Sequence, residues 1–225
     1  MDNLSDISII IRTKNEERWI GHCIQSVIEK FKKPEILIIN DNSIDDSLNI
    51  VKSFCEDPEL DENDSYTKIN VMNIDDYSPG KSINLGVKNA SRKYSLIISA
   101  HCVLDKVNFE KHAKDLQNYV CIFGNQTPIR NGKKIKKRYV WSHFINQERE
   151  NMYSDLEERF FLHNALALYK TEFLKENPFN EIVRAKEDRY WAKQIIDDGF
   201  SYLYDPSLSA SHHNTEAGAT WVGLG

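Results

Sequence analysis

A chain of 225 residues with 40% apolar and 28% charged side chains can bury a substantial core, and that balance excludes disorder, collagen and a coiled coil. Its 29 Lys and Arg against 34 Asp and Glu give a net charge of −5, which argues against a general nucleic-acid binder. No apolar run approaches the ~18 residues of a membrane span, and Met1-Asp2-Asn3-Leu4-Ser5 is unlike a signal peptide, so a cytoplasmic protein is expected.

Ile7 to Ile11 is a short β-branched run, the mark of a buried strand. Trp19, Ile20, Cys23, Ile24, Val27, Ile28 and Phe31 then recur at three- and four-residue steps, one apolar face of a helix, with Asn15 as its expected cap. Pro34 closes that unit and Glu35 to Ile39 reads as a second buried strand. A polar turn, Asn40-Asp41-Asn42-Ser43, leads to a helix through Leu48, Val51 and Phe54. The acidic, proline-broken stretch from Asp57 to Ser65 is expected to be a surface loop. Ile69 to Met72 is strand-like, Ser78-Pro79-Gly80 a turn, Lys81 to Ala90 a helix and Ser95 to Ser99 another buried strand. Strands alternating with helices predict a parallel sheet covered on both faces, with ligands beyond the carboxyl ends of its strands.

The second half is less regular. Val120 to Gly124 and Asn164 to Tyr169 have strand character, and Glu187 to Asp198 reads as a helix ended by Gly199. No repeat or Gly/Ser linker divides the chain, so residues 1–225 are expected to form one domain, with a ligand-binding half over about 1–105 and a second half over about 106–225. Cys23, Cys55, Cys102 and Cys121 are scattered without a CxxC pair and are expected to be free, buried thiols. Five of the six residues from Lys133 to Arg138 are basic, either a solvated loop or, with Tyr139, Trp141 and Phe144, a contact for anionic lipid or an acidic acceptor.

Polar groups sit where such a sheet would bind a ligand. Arg12-Thr13-Lys14-Asn15-Glu16 follows the first strand, Asn40 to Asp45 the second, and Ser99-Ala100-His101 the last of the N-terminal half. An Asp at a strand end can accept from a ribose hydroxyl, and His101 can meet a metal, a phosphate or simply the core. Glu187-Asp188 suits proton abstraction as well as a helix N-terminus, and of the adjacent His212 and His213 only one would enter a site from an extended segment. Walker, GxGxxG, GxSxG and HExxH motifs are absent.

The stretch from Ile7 through Val51, with its strand, T-x-N-E-like loop, amphipathic helix and Asn40-Asp41-Asn42-Ser43-Ile44-Asp45, resembles the opening of family 2 glycosyltransferases of GT-A fold. Tyr77 to Asp105 resembles the segment leading into that family's D-x-D motif, and Phe179 to Asn214 its acceptor-side segment with an E-D pair and a later histidine. Two departures stand out: Asn40 replaces the first acid of the family's D-D pair, and Ser99-Ala100-His101 replaces the D-x-D. That S-A-H sequence, with the later Gly124-Asn125-Gln126-Thr127-Pro128, is similar to a subgroup of the family.

The resemblance implies an α/β fold with a mostly parallel central sheet and an inverting transfer of a sugar from a nucleotide-activated donor to a hydroxyl of a glycan or glycolipid. It places Thr13, Asn15, Glu16, Asp41 and Ser43 on the nucleotide, with Lys81 and Asn84 near phosphate or donor sugar. Ser99, His101, His212 and His213 fall on the diphosphate side, where a divalent metal, Mn or Mg, is expected, with imidazolium as the other source of positive charge. Asp188 is the expected base and Glu187 the second candidate. By the same resemblance the setting is bacterial surface-polysaccharide assembly (capsule or O-antigen), peripheral to the inner face of the membrane, and the chain can be part of a larger protein. A sugar nucleotidyltransferase and a catalytically degenerate nucleotide-sugar-binding module are the competing readings. The lack of glycine in residues 12–16 opposes the first, and retention of Glu187-Asp188 the second.

Overall fold

The computed structural model describes residues 6–55, 68–216, 218, 220 and 221. The acidic stretch 57–65, expected to be a loop, lies outside the described residues. In chain order the elements are β1 (Ile7–Thr13), α1 (Ile20–Lys30), β2 (Glu35–Asn40), α2 (Ser47–Ser53), β3 (Lys68–Asn73), α3 (Pro79–Asn89), β4 (Tyr94–Ser99), β5 (Cys102–Lys106), α4 (Phe109–Asp115) and β6 (Cys121–Arg130). After these come four two-residue strands, β7 (Lys133–Lys134), β8 (Arg149–Glu150), β9 (Tyr153–Ser154) and β10 (Arg159–Phe160), and a 3-10 turn, Tyr139–His143, between β7 and β8. The chain ends with β11 (Leu166–Lys170), α5 (Thr171–Glu176), α6 (Glu187–Asp197) and β12 (Tyr202–His213).

The main sheet has the order β3-β2-β1-β4-β11-β6-β12-β5. Its first four strands are parallel, β11 runs against both β4 and β6, β12 is parallel to β6, and β5 is antiparallel to β12. Strand periodicity explains the layering. Ile7, Ile9 and Ile11 face the layer of α1 residues Ile20, Cys23, Ile24 and Val27, whereas Ile10 faces Ile83 and Val87 of α3. The same alternation sends Ile36 and Ile38 one way and Leu37 and Ile39 the other. Two apolar cores thus share one sheet, and β1, β2 and β4 are buried on both faces. Gly86 permits close approach, because a Cβ there would lie 2.6 Å from Ile10 Cγ2.

Several local expectations are corrected. Asn15 does not cap α1: it has φ +51 and lies outside the helix, whose first backbone groups bond to the Glu16 carbonyl. Ser78-Pro79-Gly80 is the start of α3, with Ser78 Oγ accepting from Lys81 N at 3.1 Å and Pro79 preorganising the first turn. The strand from Val120 extends to Arg130, and β5, α4 and β12 appear where no element was expected. Lys133 to Arg138 is exposed, but Lys137 turns inward and donates to Asn125 Oδ1 at 3.0 Å and to the Phe144 carbonyl. Cys23, Cys102 and Cys121 are buried thiols, as expected, whereas Cys55 is exposed. No described helix is long and apolar enough to cross a membrane.

At the amino edge of the sheet, buried Glu35 accepts from Ser8 Oγ, Ser91 N and Ser91 Oγ, a clasp joining β1, β2 and the turn before β4. The opposite edge carries the polar groups considered next.

Candidate active site

Thr13 ends β1, Asp41 directly follows β2 and His101 lies two residues beyond β4, all at the carboxyl ends of these strands. Because β11 runs antiparallel to β4, with Leu166 opposite Ile98, the residues just before β11 reach the same edge. The head of α6 packs there too. The result is a cleft of about 230 Å³ lined by Thr13, Glu16, Asp41, Ser99, His101, Glu187, Asp188 and His212, with Arg12, Lys14, His163 and Asn164 among them. Arg12 Nε, Thr13 Oγ1 and Arg189 Nε, on three residues that line the cleft, are buried polar atoms without a hydrogen-bond partner among the described residues.

Not every expected residue reaches it. Asn15 and Ser43 pin two loops together: Asn15 N donates to Ser43 Oγ at 3.0 Å, and Asn15 Oδ1 accepts from Ile44 N at 2.8 Å. Asn84 is turned away from the cleft and clamps α3 to the segment before α6. Its amide donates to the Phe179 carbonyl and Glu181 Oε1, each at 2.9 Å, and accepts from Phe179 N at 3.0 Å. Lys81 pairs with Asp76 at 3.4 Å near the surface. His213 stacks on Trp19 with ring centroids 3.8 Å apart, leaving His212 as the one of the two that lines the cleft.

The two carboxyls at the head of α6 differ in environment. Burial favours a protonated Asp188, but the Arg189 guanidinium, the His163 ring and the hydrogen bonds from Asn164 and Arg189 together outweigh it and hold this carboxyl below the usual range. Asp188 Oδ2 accepts from Asn164 N at 3.1 Å and Arg189 Nη1 at 2.9 Å, and Oδ1 from Arg189 N at 2.9 Å. Glu187 is pushed up to about 7 by burial and by the neighbouring Asp188 charge, which Arg12 offsets only in part. The Arg12 contact is long, 3.6 Å from Nη1 to Oε1, and Asn164 Nδ2 donates to the same oxygen at 3.4 Å.

At the other end, polar side chains form a continuous file. Glu16 Oε1 lies 2.9 Å from His101 Nδ1, and His101 Nε2 lies 3.0 Å from His212 Nε2. Gln126 Oε1 lies 2.8 Å from His212 Nδ1, and its Nε2 3.1 Å from His163 Nδ1. Burial, reinforced by the Arg189 charge, lowers His163 to about 3, and burial also lowers His212. Both rings are therefore neutral near pH 7. Two imidazole nitrogens bound at right angles to one divalent ion, each at about 2.1 Å, would stand about 3 Å apart, so His101 and His212 fit as neighbouring ligands. Each ring also has a polar partner on its outer nitrogen, as metal-binding histidines do. No group of three metal-ligating side chains occurs among the described residues, so the other positions would fall to phosphate oxygens and water. Imidazole donors suit Mn better than Mg.

The family model described as Glycosyl transferase family 2 matches residues 8–177. The chain is a family 2 glycosyltransferase. Among solved structures, this glycosyltransferase is similar to Staphylococcus aureus TarS 1–349 in complex with UDP-GlcNAc, with a TM-score of 0.70 and 18% identity over 95% of this chain and 60% of that one. It is similar also to the mannosyltransferase PcManGT from Pyrobaculum calidifontis in complex with GDP-Man and Mn2+, with a TM-score of 0.64 and 14% identity over 95% of this chain and 58% of that one. At such identities the likeness concerns the fold. A curated relative in Methanococcus voltae, a dolichyl N-acetyl-α-D-glucosaminyl phosphate 3-β-D-2,3-diacetamido-2,3-dideoxy-β-D-glucuronosyltransferase, is 24% identical over 92% of this chain, which spans 66% of its length. An uncharacterized glycosyltransferase of Rickettsia felis is 26% identical over 81% of this chain, which spans 29% of that protein.

The glycosyltransferase cleft uses residues that sequence reasoning passed over. Asn164 touches both α6 carboxyls, and Arg189 holds Asp188. Arg12 was legible as part of its loop but not as the partner of Glu187. His163-Asn164, a polar pair directly before an apolar strand, was the available signal; it became readable only once β11 was known to run against β4.

Proposed function

We propose that this enzyme moves a sugar from a nucleotide-activated donor to a hydroxyl of a glycan or glycolipid, with inversion, in bacterial surface-polysaccharide assembly. The convergence of Asp41, His101 and the Glu187-Asp188 pair on one cleft carries the reading. TarS, with its bound UDP-GlcNAc, and the poly-β-1,6-N-acetyl-D-glucosamine synthase of Staphylococcus aureus, 25% identical over 47% of this chain, support the donor class and the setting.

Thr13 and Asp41 would hold the nucleoside, with Lys14, 2.8 Å from Asp41, fixing that carboxylate. Asp188, ionised and aimed by Asn164 N and Arg189, would accept the acceptor hydroxyl's proton as the oxygen attacks the anomeric carbon. The bond to the nucleoside diphosphate breaks on the opposite face, and the bonding pair leaves with the phosphate. A divalent ion held by His101 and His212 would supply positive charge for that leaving group. Arg12 and Lys186, both at the cleft, add fixed cations. The exposed Lys133, Lys134, Lys136 and Arg138 would face anionic lipid or an acidic acceptor.

Turnover with UDP-, GDP-, dTDP- and CMP-sugars tests this. Asp188→Asn is expected to lower kcat by about 10²–10⁴-fold in a folded protein; near-wild-type turnover would remove Asp188 as the base. Excess EDTA is expected to stop the reaction, and an unchanged rate would assign the leaving-group charge to imidazolium instead. A second reading, favoured by the raised pKa of Glu187, makes that residue the base. The rate would then climb about tenfold per pH unit up to about pH 7, whereas Asp188 gives a flat profile there.

A further inference from the structure

The file of side chains behind His101 fixes where its protons lie, because each hydrogen bond holds one proton. Ala165 N donates to His163 Nδ1 at 3.4 Å, so that nitrogen presents a lone pair and the proton of the neutral ring sits on Nε2, facing Thr220 Oγ1 at 3.4 Å. The Gln126 atom 3.1 Å from His163 Nδ1 must then be the amide nitrogen, which turns Gln126 Oε1 toward His212. An oxygen 2.8 Å from His212 Nδ1 requires a proton on that nitrogen. Neutral His212 is left with a bare Nε2. From the other side, Glu16 Oε1 lies 2.9 Å from His101 Nδ1 and accepts a proton carried there, and that tautomer of His101 has a bare Nε2 as well. Two lone pairs 3.0 Å apart repel unless one cation lies between them.

We infer that Gln126, backed by His163, is a positioning residue that keeps His212 Nε2 unprotonated toward His101, so that the two rings form an acceptor pair for a single cation. Gln126 and His212 are 0% exposed and His163 is 5% exposed, and Gln126 lies on β6 with apolar Phe123 and Ile129 on the same strand. Burying an amide there is costly unless both its ends are bonded, and both are, to rings whose orientations it sets. The inference rests on the proposed diphosphate site only for the identity of the cation. A proton between the rings satisfies the same geometry.

Two measurements separate these points. Long-range proton–nitrogen NMR on protein labelled with ¹⁵N-histidine, without metal, is expected to show His163 protonated at Nε2 and His212 at Nδ1. His163 protonated at Nδ1, or neutral His212 protonated at Nε2, would overturn the inference without need of any variant. Mn²⁺ titration followed by electron paramagnetic resonance is expected to show Gln126→Leu binding about 10–100-fold more weakly than wild type, and Gln126→Glu, which keeps an oxygen toward His212, still binding. Equal affinity in wild type and folded Gln126→Leu would also overturn it. If wild type binds no Mn²⁺ while the protons lie as stated, the metal leaves the proposed function and Gln126 keeps its role, with a proton as the shared cation.

Discussion

Burying Glu187 beside Asp188 makes its ionised form costly, and Arg12 at 3.6 Å recovers only part of that cost. A carboxyl whose folded pKa is raised contributes stability at low pH and loses it as pH climbs from about 4.5 toward about 7. Glu187→Gln carries no such loss. Its melting temperature relative to wild type is therefore expected to rise between pH 5 and pH 8, by the equivalent of about 1–3 kcal/mol; a constant difference across that range would show that Glu187 is ionised throughout. Residue identity gave little warning of this split, because Glu187 and Asp188 look interchangeable on paper. Arg189 and Asn164, which divide them, touch Asp188 only after the chain has folded. Asn15 misled for the opposite reason. Asn before a helical pattern has the character of a cap, but Ser43 and Ile44 from the neighbouring loop claim its polar atoms.

Elements with one dominant period were readable. The β-branched runs of β1, β2 and β4 and the three- and four-residue spacing of α1 fixed the N-terminal layers, and with them the edge on which Asp41 and His101 would meet. β12 was not readable, since Pro206 interrupts it and ordinarily argues against a strand. The sheet tolerates that proline because the register with β6 shifts between Asp205 and Ser209, a bulge that releases the backbone there from the ladder. Missing β12 hid the route by which His212 reaches His101. Packing between elements can be tested at α3. Gly86→Ala improves intrinsic helix propensity by about 1 kcal/mol, yet its methyl would press on Ile10 Cγ2, which is 0% exposed and has nowhere to move. A net loss of about 1–2 kcal/mol in urea unfolding is expected, and any gain would mean that α3 and β1 are less tightly apposed than described.

For the molecule as a whole, a net charge of −5 conceals an uneven surface. Lys133, Lys134, Lys136 and Arg138 are exposed next to Tyr139, 78% exposed, while Lys137 anchors the segment from within. Vesicles containing phosphatidylserine are expected to sediment the wild-type protein and to lose it when the four exposed cations become Gln, with an unchanged melting temperature; equal sedimentation would assign the ribbon to solvent. The ribbon leads into the turn whose Trp141 meets the His212 ring edge-on at 4.9 Å, so one continuous segment links this surface to the cation pair.

The clasp of Glu35 with Ser8 and Ser91 occupies the sheet margin farthest from the chemistry. Its side chains are satisfied by one another and ask nothing of a ligand. A dye, affinity handle or solid support attached along that margin, at Lys33 or Arg92 for instance, would therefore leave the opposite rim facing bulk solution, open to whatever the cleft binds.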